Sequence, residues 1–164
     1  PNFVVTQTVS RYLRTPDTRD WQLQDKLEVQ LSYRIGTGEV FNLLRVNGAT
    51  TRQSYEELRG SPSTGEFGSL LASLFVPETK AAFREVTRAL RMEDAADEIP
   101  TGFPVTLSEN AIEYDWATIA GARYLVPIRA EVLMGRDSQR VYTRNVIEFR
   151  DYRKFEGQIK LDPN

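Results

Sequence analysis

The chain has 164 residues, enough for a single domain with a real hydrophobic core. With 40% apolar and 27% charged residues, a formal net charge of −2 and a pI of about 5.4, its composition is that of a soluble globular domain without a basic surface for nucleic acid. It contains no histidine and no cysteine, which excludes Ser-His-Asp and Cys-His nucleophiles, the common zinc sites, Fe–S clusters and disulfides, so no metal or cofactor is expected.

Residues 3–14 are rich in β-branched and aromatic types, and Phe3, Val5, Val9 and Leu13 share a face at period two, which predicts a strand. Thr15-Pro16-Asp17-Thr18 has turn composition. Leu27, Val29, Leu31, Tyr33 and Ile35 alternate with Glu28, Gln30, Ser32 and Arg34, the pattern of a half-buried strand. Gly36-Thr37-Gly38 predicts a hairpin into 39–46, and Asn47-Gly48 a second tight turn.

The middle of the chain changes period. Ser54–Arg59 is expected as a short helical turn and Gly60–Gly65 as a loop. Ser63 and Glu66 have capping-box spacing, and Phe67, Leu70, Leu71, Leu74 and Phe75 recur at three and four, predicting an amphipathic helix over 65–75. Pro77 ends it and opens a second helix over 78–85. A strand pattern starts at Val86 with no Gly, Pro, Asn or Asp at the join. Such a switch without turn chemistry points to a missing segment near 83–87.

Asp94–Gly102 reads as an acidic loop, followed by extended segments at 103–107 and 111–117, the latter with Ile112, Tyr114 and Trp116 on one face. Ile119–Ala122 turns into the strongest strand pattern of the chain. There Tyr124, Val126, Ile128, Ala130, Val132 and Met134 form an apolar face opposite Arg123, Arg129 and Glu131. Gly135–Ser138 is the next expected turn, into a last strand over 140–155, and 156–164 is a polar tail. The expected fold is α+β: one curved, half-barrel-like antiparallel sheet with two helices inserted around residues 65–85, in one domain.

Several blocks resemble a known family. Pro1–Val9 with Arg11-Tyr12, then Val46-Asn47-Gly48, Ser63–Gly68, Tyr124–Pro127 and Glu148–Phe155 look like a family of exported bacterial proteins of unassigned function, abundant in acidobacteria. The resemblance implies export to the periplasm or beyond, and the opening at Pro1-Asn2-Phe3 then reads as a mature or trimmed start. It also implies further strands between the matches to 83–85 and 86–92, in agreement with the odd join. More loosely, an early strand with Phe3, Thr6, Gln7 and Thr8, hairpins, a helical insertion and a long meander are similar in order to the periplasmic lipoprotein-carrier superfamily. That likeness implies a curved sheet around an apolar cavity lidded by helices, and no site motif of that group maps onto this sequence.

Candidate sites are few. Gly60–Gly65 lacks the Lys of a phosphate loop, and Glu66 follows where that loop needs a cation. Glu93, Asp94, Asp97 and Glu98 lack calcium-loop spacing and read as a solvated loop. Glu113 and Asp115 are strand neighbours on a polar face, read as solvated, and would support glycoside hydrolysis only if they flanked a cleft; an enzyme here would have to work through Asp, Glu, Tyr or Lys alone. Arg144, Glu148, Arg150, Tyr152 and Lys154 form a cationic strip, best read as ion-pairing with Arg129 and Glu131 across strands. The remaining candidate is an apolar ligand site formed by Phe67, Leu70, Leu71, Leu74 and Phe75 with Tyr124, Val126, Ile128 and Val132. The leading expectation is a non-catalytic exported protein holding a lipid, an acyl chain or an apolar partner segment there. An envelope protein–protein interaction or scaffold module is second and a carboxylate hydrolase third, with neither nucleic acid nor a membrane span involved.

Overall fold

A computed structural model describes residues 3–34, 38–58, 83–86, 89–95 and 105–154. Its elements in chain order are β1 (Phe3–Arg14), β2 (Gln22–Arg34), β3 (Gly38–Val46), β4 (Ala49–Thr50), β5 (Phe83–Val86), β6 (Ala89–Ala95), β7 (Leu107–Ile119), β8 (Ala122–Arg136) and β9 (Val141–Lys154). They form one open antiparallel sheet in the order β4-β3-β2-β1-β9-β8-β7-β6-β5. Two meanders are thus joined by β1 pairing with β9, the first and last strands described.

The register divides the sheet into two faces. On the inner face Val5 lies opposite Leu31, Gln7 opposite Val29 and Phe149, and Val9 opposite Leu27 and Ile147. Ile147 continues to Ala130, and Ala130 to Ile112. All of these side chains are buried. Each large aliphatic among them contributes about 1.5–3 kcal/mol as an upper figure for removal from water. Residues 51–58 fold back onto this face, where Tyr55 is buried and stacks on Phe41 at 5.0 Å between centroids. The outer face carries Lys26, Glu28, Arg45, Glu113, Arg129, Glu131, Arg144, Glu148 and Arg150.

Turn chemistry sets the register. Asn47 (φ 51°) and Gly48 (φ 81°) both sit in the left-handed region that a two-residue hairpin needs. Asn47 also exchanges two bonds with Lys26, its N–H donating to the Lys26 carbonyl (2.7 Å) and its Oδ1 accepting from the Lys26 N–H (2.8 Å). Ala120 (φ 49°) and Gly121 (φ 80°) make the same turn between β7 and β8. The β8–β9 reversal lies later than the glycine suggests, with Gln139 N–H bonded to the Arg136 carbonyl and Arg140 N–H to that of Asp137. Gly135 stays in the strand because the Tyr142 ring packs over it, and an added Cβ would overlap that ring.

Four irregularities interrupt the ladders. Single extra residues occur at Gln24 on β2, Leu44 on β3 and Ile128 on β8, and β9 sets Asp151 and Tyr152 against the single residue Val5. Asp151 has φ 58°, the left-handed conformation that short polar side chains tolerate.

The structure corrects the α+β expectation. Every described helix-or-strand element is a strand, so the described chain is all-β. The expected helix over 65–75, with Phe67, Leu70, Leu71, Leu74 and Phe75, lies outside the described residues. The expected helix over 78–85 overlaps β5, which is a strand paired with β6 from Val86↔Ala89 to Phe83↔Met92. A helical period cannot persist where each residue must face a partner strand two-fold. The join at 85–86 falls within β5. Of the helical turn expected at 54–59, the described residues 54–58 form a hydrogen-bonded turn without a helix: Glu57 and Leu58 donate to carbonyls three residues back, and the Glu57 carboxylate accepts the Ser54 N–H at 3.1 Å.

Candidate functional site

The inner face is apolar with a few polar interruptions, Gln7 among them, and two of these are where function can reside. The first lies on β1. Arg11 occupies an inward position and is only 8% exposed. Its fork grips Asp25 on β2, with Nε to Oδ1 at 2.6 Å and NH2 to Oδ2 at 2.5 Å. The Asp25 hydrogen bond raises the guanidinium's pKa above its ordinary value, against the desolvation of burial. Asn145, also buried, is Arg11's register partner on β9. The pair is bidentate and closed, with Asp25 already satisfied by the guanidinium, so it is a clasp between strands.

The second interruption lies where β8 leaves β9. Their pairing runs from Arg136↔Val141 to Arg129↔Glu148 and stops there, although β8 continues back to Ala122 and β9 forward to Lys154. The irregularities at Ile128 and Asp151 flank this parting, one on each strand. An extra residue increases local twist and turns the strand away from its neighbour, so the two bulges together open the ladder. Tyr152 reaches across the gap and donates its hydroxyl to the Pro127 carbonyl. Tyr114 on β7 is the register partner of Pro127 and is 2% exposed. Its hydroxyl has no hydrogen-bond partner among the described residues. Burial pushes the Tyr114 phenol up to about 12, and pushes Tyr152 up further with Tyr114 adding to the effect. Both are neutral donors at physiological pH. Phe3 and Tyr124 close the parting edge to face at 5.1 Å.

No family model, curated protein or solved structure matches the chain. The site therefore has to be read from its own chemistry.

Of the residues expected to line an apolar site, Val126 and Val132 are buried, Tyr124 is half-buried, and Ile128 is exposed at 38%. Ile128 is the extra residue of the bulge, and that shifts the pleat. On one side of it Ala130 is buried opposite Ile112, and on the other Pro127 is buried opposite Tyr114, an interval of three on β8 against two on β7. Tyr152 is displaced from the cationic strip for the same reason: the bulge at Asp151 moves it to the inner side, away from Arg144, Glu148 and Arg150.

Within the rest of that strip Arg144 makes the cross-strand pair expected with Glu131, and Arg150 pairs with Glu148 along β9 at 3.6 Å. Arg144 donates from Nε to Glu131 Oε1 (2.7 Å) and from NH2 to Oε2 (3.0 Å), while Arg129 bridges Glu131 (3.2 Å) and Glu113 (3.3 Å). Glu113 is thereby engaged, and Asp115 accepts the Trp116 N–H at 2.7 Å, so the two do not converge on a cleft. Hydrogen bonds from Arg144 hold the Glu131 carboxyl below the usual carboxylate range, with Arg129 adding and burial opposing. A depressed folded-state pKa stabilises the fold above the unfolded carboxylate value, and that contribution is lost as pH falls through the folded value. Glu131→Gln is therefore expected to cost about 1 kcal/mol or less at neutral pH. The difference from wild type should shrink as pH falls through the folded-state value, as read by urea unfolding at neutral and at acid pH.

Among the described residues no group of three acidic side chains is placed to hold a metal ion. Glu93 and Asp94 fall in β6, while Asp97, Glu98 and the 60–65 loop lie outside the described residues. No helix among the described residues is long and apolar enough to cross a membrane.

The sequence reading passed over Arg11, Asp25, Gln7, Asn145 and the pairing of Tyr114 with Tyr152. For the first three the signal was present. Gln7 and Arg11 continue the odd-numbered face of Phe3, Val5 and Val9, and Asp25 continues that of Leu27, Val29 and Leu31. The Tyr114–Tyr152 juxtaposition had no local signal, because it depends on two bulges on different strands.

Proposed function

We propose that this is a non-catalytic, exported binding protein that holds an apolar chain, such as a lipid acyl chain, at the parting of β8 and β9. The observation that carries this reading is the Tyr114 hydroxyl, a buried donor left unbonded within an apolar face. An unsatisfied buried hydroxyl costs about 1–3 kcal/mol, a penalty that a bound acceptor would remove. The carboxyl or ester carbonyl of an acyl chain supplies such an acceptor, while Val126, Ile147 and Phe149 beside the parting offer apolar contact for its tail. Export rests on the sequence blocks that resemble the exported bacterial family. The close filling of the inner face at Leu27, Val29, Leu31 and Ile112 favours a second reading, an envelope interaction module without an internal ligand.

Native mass spectrometry of protein purified without detergent, together with titration of a fluorescent fatty acid, separates the two. The first reading expects co-purified lipid or probe uptake. Tyr114→Phe should weaken probe binding about 3- to 10-fold, the worth of one neutral hydrogen bond. The same substitution should leave the ligand-free melting temperature unchanged or raised, because it deletes an unbonded polar atom. Wild-type protein that carries no lipid and takes up no probe would overturn this reading and leave the interaction module.

A further inference from the structure

Past the parting, the end of the β7–β8 hairpin forms an arm of distinctive chemistry. Residues 116–128 (Trp-Ala-Thr-Ile-Ala-Gly-Ala-Arg-Tyr-Leu-Val-Pro-Ile) contain no carboxylate, although the chain has 23 in 164 residues, and their single charge is Arg123. One side of the arm is buried at Ile119 and Val126, and Tyr124 meets Phe3. Trp116, which continues the alternation of Ile112 and Tyr114 along β7, lies on the other side. Trp116 is 57% exposed, the most exposed large apolar side chain among the described residues, and Ile128 is also open to solvent. Arg123 lies over the Trp116 ring at 4.9 Å and makes no hydrogen bond or ion pair among the described residues. The nearest carboxylate in sequence, Asp115, is turned onto the Trp116 N–H. The outer face of the same sheet pairs its arginines with glutamates, so this unpaired arginine on an exposed indole is a local exception.

We infer that this arm docks the protein on an anionic lipid surface, with Trp116 entering the headgroup boundary and Arg123 contacting lipid phosphate. Tryptophan is favoured at that boundary because its ring is apolar while its N–H remains bonded. An arginine stem lies along apolar surface and keeps its charged end among the headgroups, which is the arrangement the stacked pair already presents. A carboxylate facing the negative leaflet would be repelled, and the one within the arm's pairing, Asp115, alternates to the side away from Trp116 and accepts the Trp116 N–H. Two-residue connection through Ala120-Gly121 and continuous β7–β8 pairing from Ile119↔Ala122 to Tyr114↔Pro127 make the arm a preformed wedge. Docking there would bring the β8–β9 parting to the bilayer surface, but it does not depend on the acyl-chain reading.

The chain has two tryptophans, so Trp21→Phe leaves Trp116 as the sole reporter in the full-length protein. Titrating this variant with phosphatidylcholine vesicles containing about a third phosphatidylglycerol should shift its emission to the blue and protect it from iodide quenching, with affinity falling as salt screens the contact. Pure phosphatidylcholine vesicles should do neither. In vesicle sedimentation Arg123→Glu should weaken binding about tenfold or more, because it removes one attraction and adds one repulsion. Trp116→Ser should weaken binding comparably, and circular dichroism melting should show both variants folded. Tyr114→Phe should leave sedimentation unchanged, which keeps this outcome separate from that of ligand binding. Unchanged Trp116 emission with anionic vesicles, equal binding to neutral ones, or wild-type sedimentation of both Trp116→Ser and Arg123→Glu would each overturn the proposal. A protein surface would then be the occupant to consider.

Discussion

Replacing Arg11 with alanine is expected to destabilise the fold by about 3 kcal/mol, near the lower end of the range for breaking a buried ion pair. The guanidinium is buried on the inner face and holds both Asp25 oxygens. Its register partners are Asp25 and Asn145, and the preceding inner-face row is Val9 with Leu27 and Ile147. Without it Asp25 is left as a partly buried carboxylate beside aliphatic side chains, and an unpaired charge there costs more than the pair contributed. The companion experiment removes both charges. Arg11→Met with Asp25→Leu keeps the volume and leaves nothing unpaired, so the double variant should lie within about 1 kcal/mol of wild type, or above it. Urea unfolding of the two single variants and the double variant gives the coupling directly. A single Arg11→Ala loss below about 1 kcal/mol would place this pair with the solvent-screened bridges of the outer face, such as Arg45–Glu28.

Strand identity was legible wherever one face is buried and the other wet. Leu27, Val29 and Leu31 against Glu28, Gln30 and Ser32 announce β2 because the pleat repeats every two residues and the core accepts only one parity. The Asn47-Gly48 turn was legible because few residue pairs accept two successive positive φ angles. The helix expected over 78–85 misled because Pro77 suits a helix start without requiring one, and at 83–85 the chain is held by the pairing of β5 with β6 rather than by its own periodicity. Gly135 misled in the opposite sense: its lack of a side chain serves the Tyr142 ring rather than a turn. The site was least legible. A β-bulge has no fixed sequence mark, and here two of them on strands far apart in sequence decide which phenols meet. The charged lattice on the outer face could be anticipated, since opposite charges at cross-strand positions on one face have few other uses.

Val126→Glu is expected to cost about 3–5 kcal/mol or to prevent folding, while Ile128→Glu stays within about 1 kcal/mol of wild type. Uninterrupted alternation assigns these two residues to one apolar face, so a straight β8 would make the substitutions equally damaging. The bulge separates them. Val126 is 3% exposed on the arm whose Tyr124 meets Phe3, and a carboxylate there would have neither water nor a cation. Ile128 is the residue that the ladder skips between Arg129 and Pro127, and its side chain already meets solvent. Thermal and urea unfolding of the two variants therefore measure the consequence of one extra residue in a strand. Equal losses would mean that β8 is straight through 128. In that case Pro127 would no longer oppose Tyr114, and the orphaned hydroxyl on which the binding site is argued would lose its setting. A large loss confined to Val126 places Ile128 outside the buried face, as an extra residue at that position requires, and keeps Pro127 opposite Tyr114.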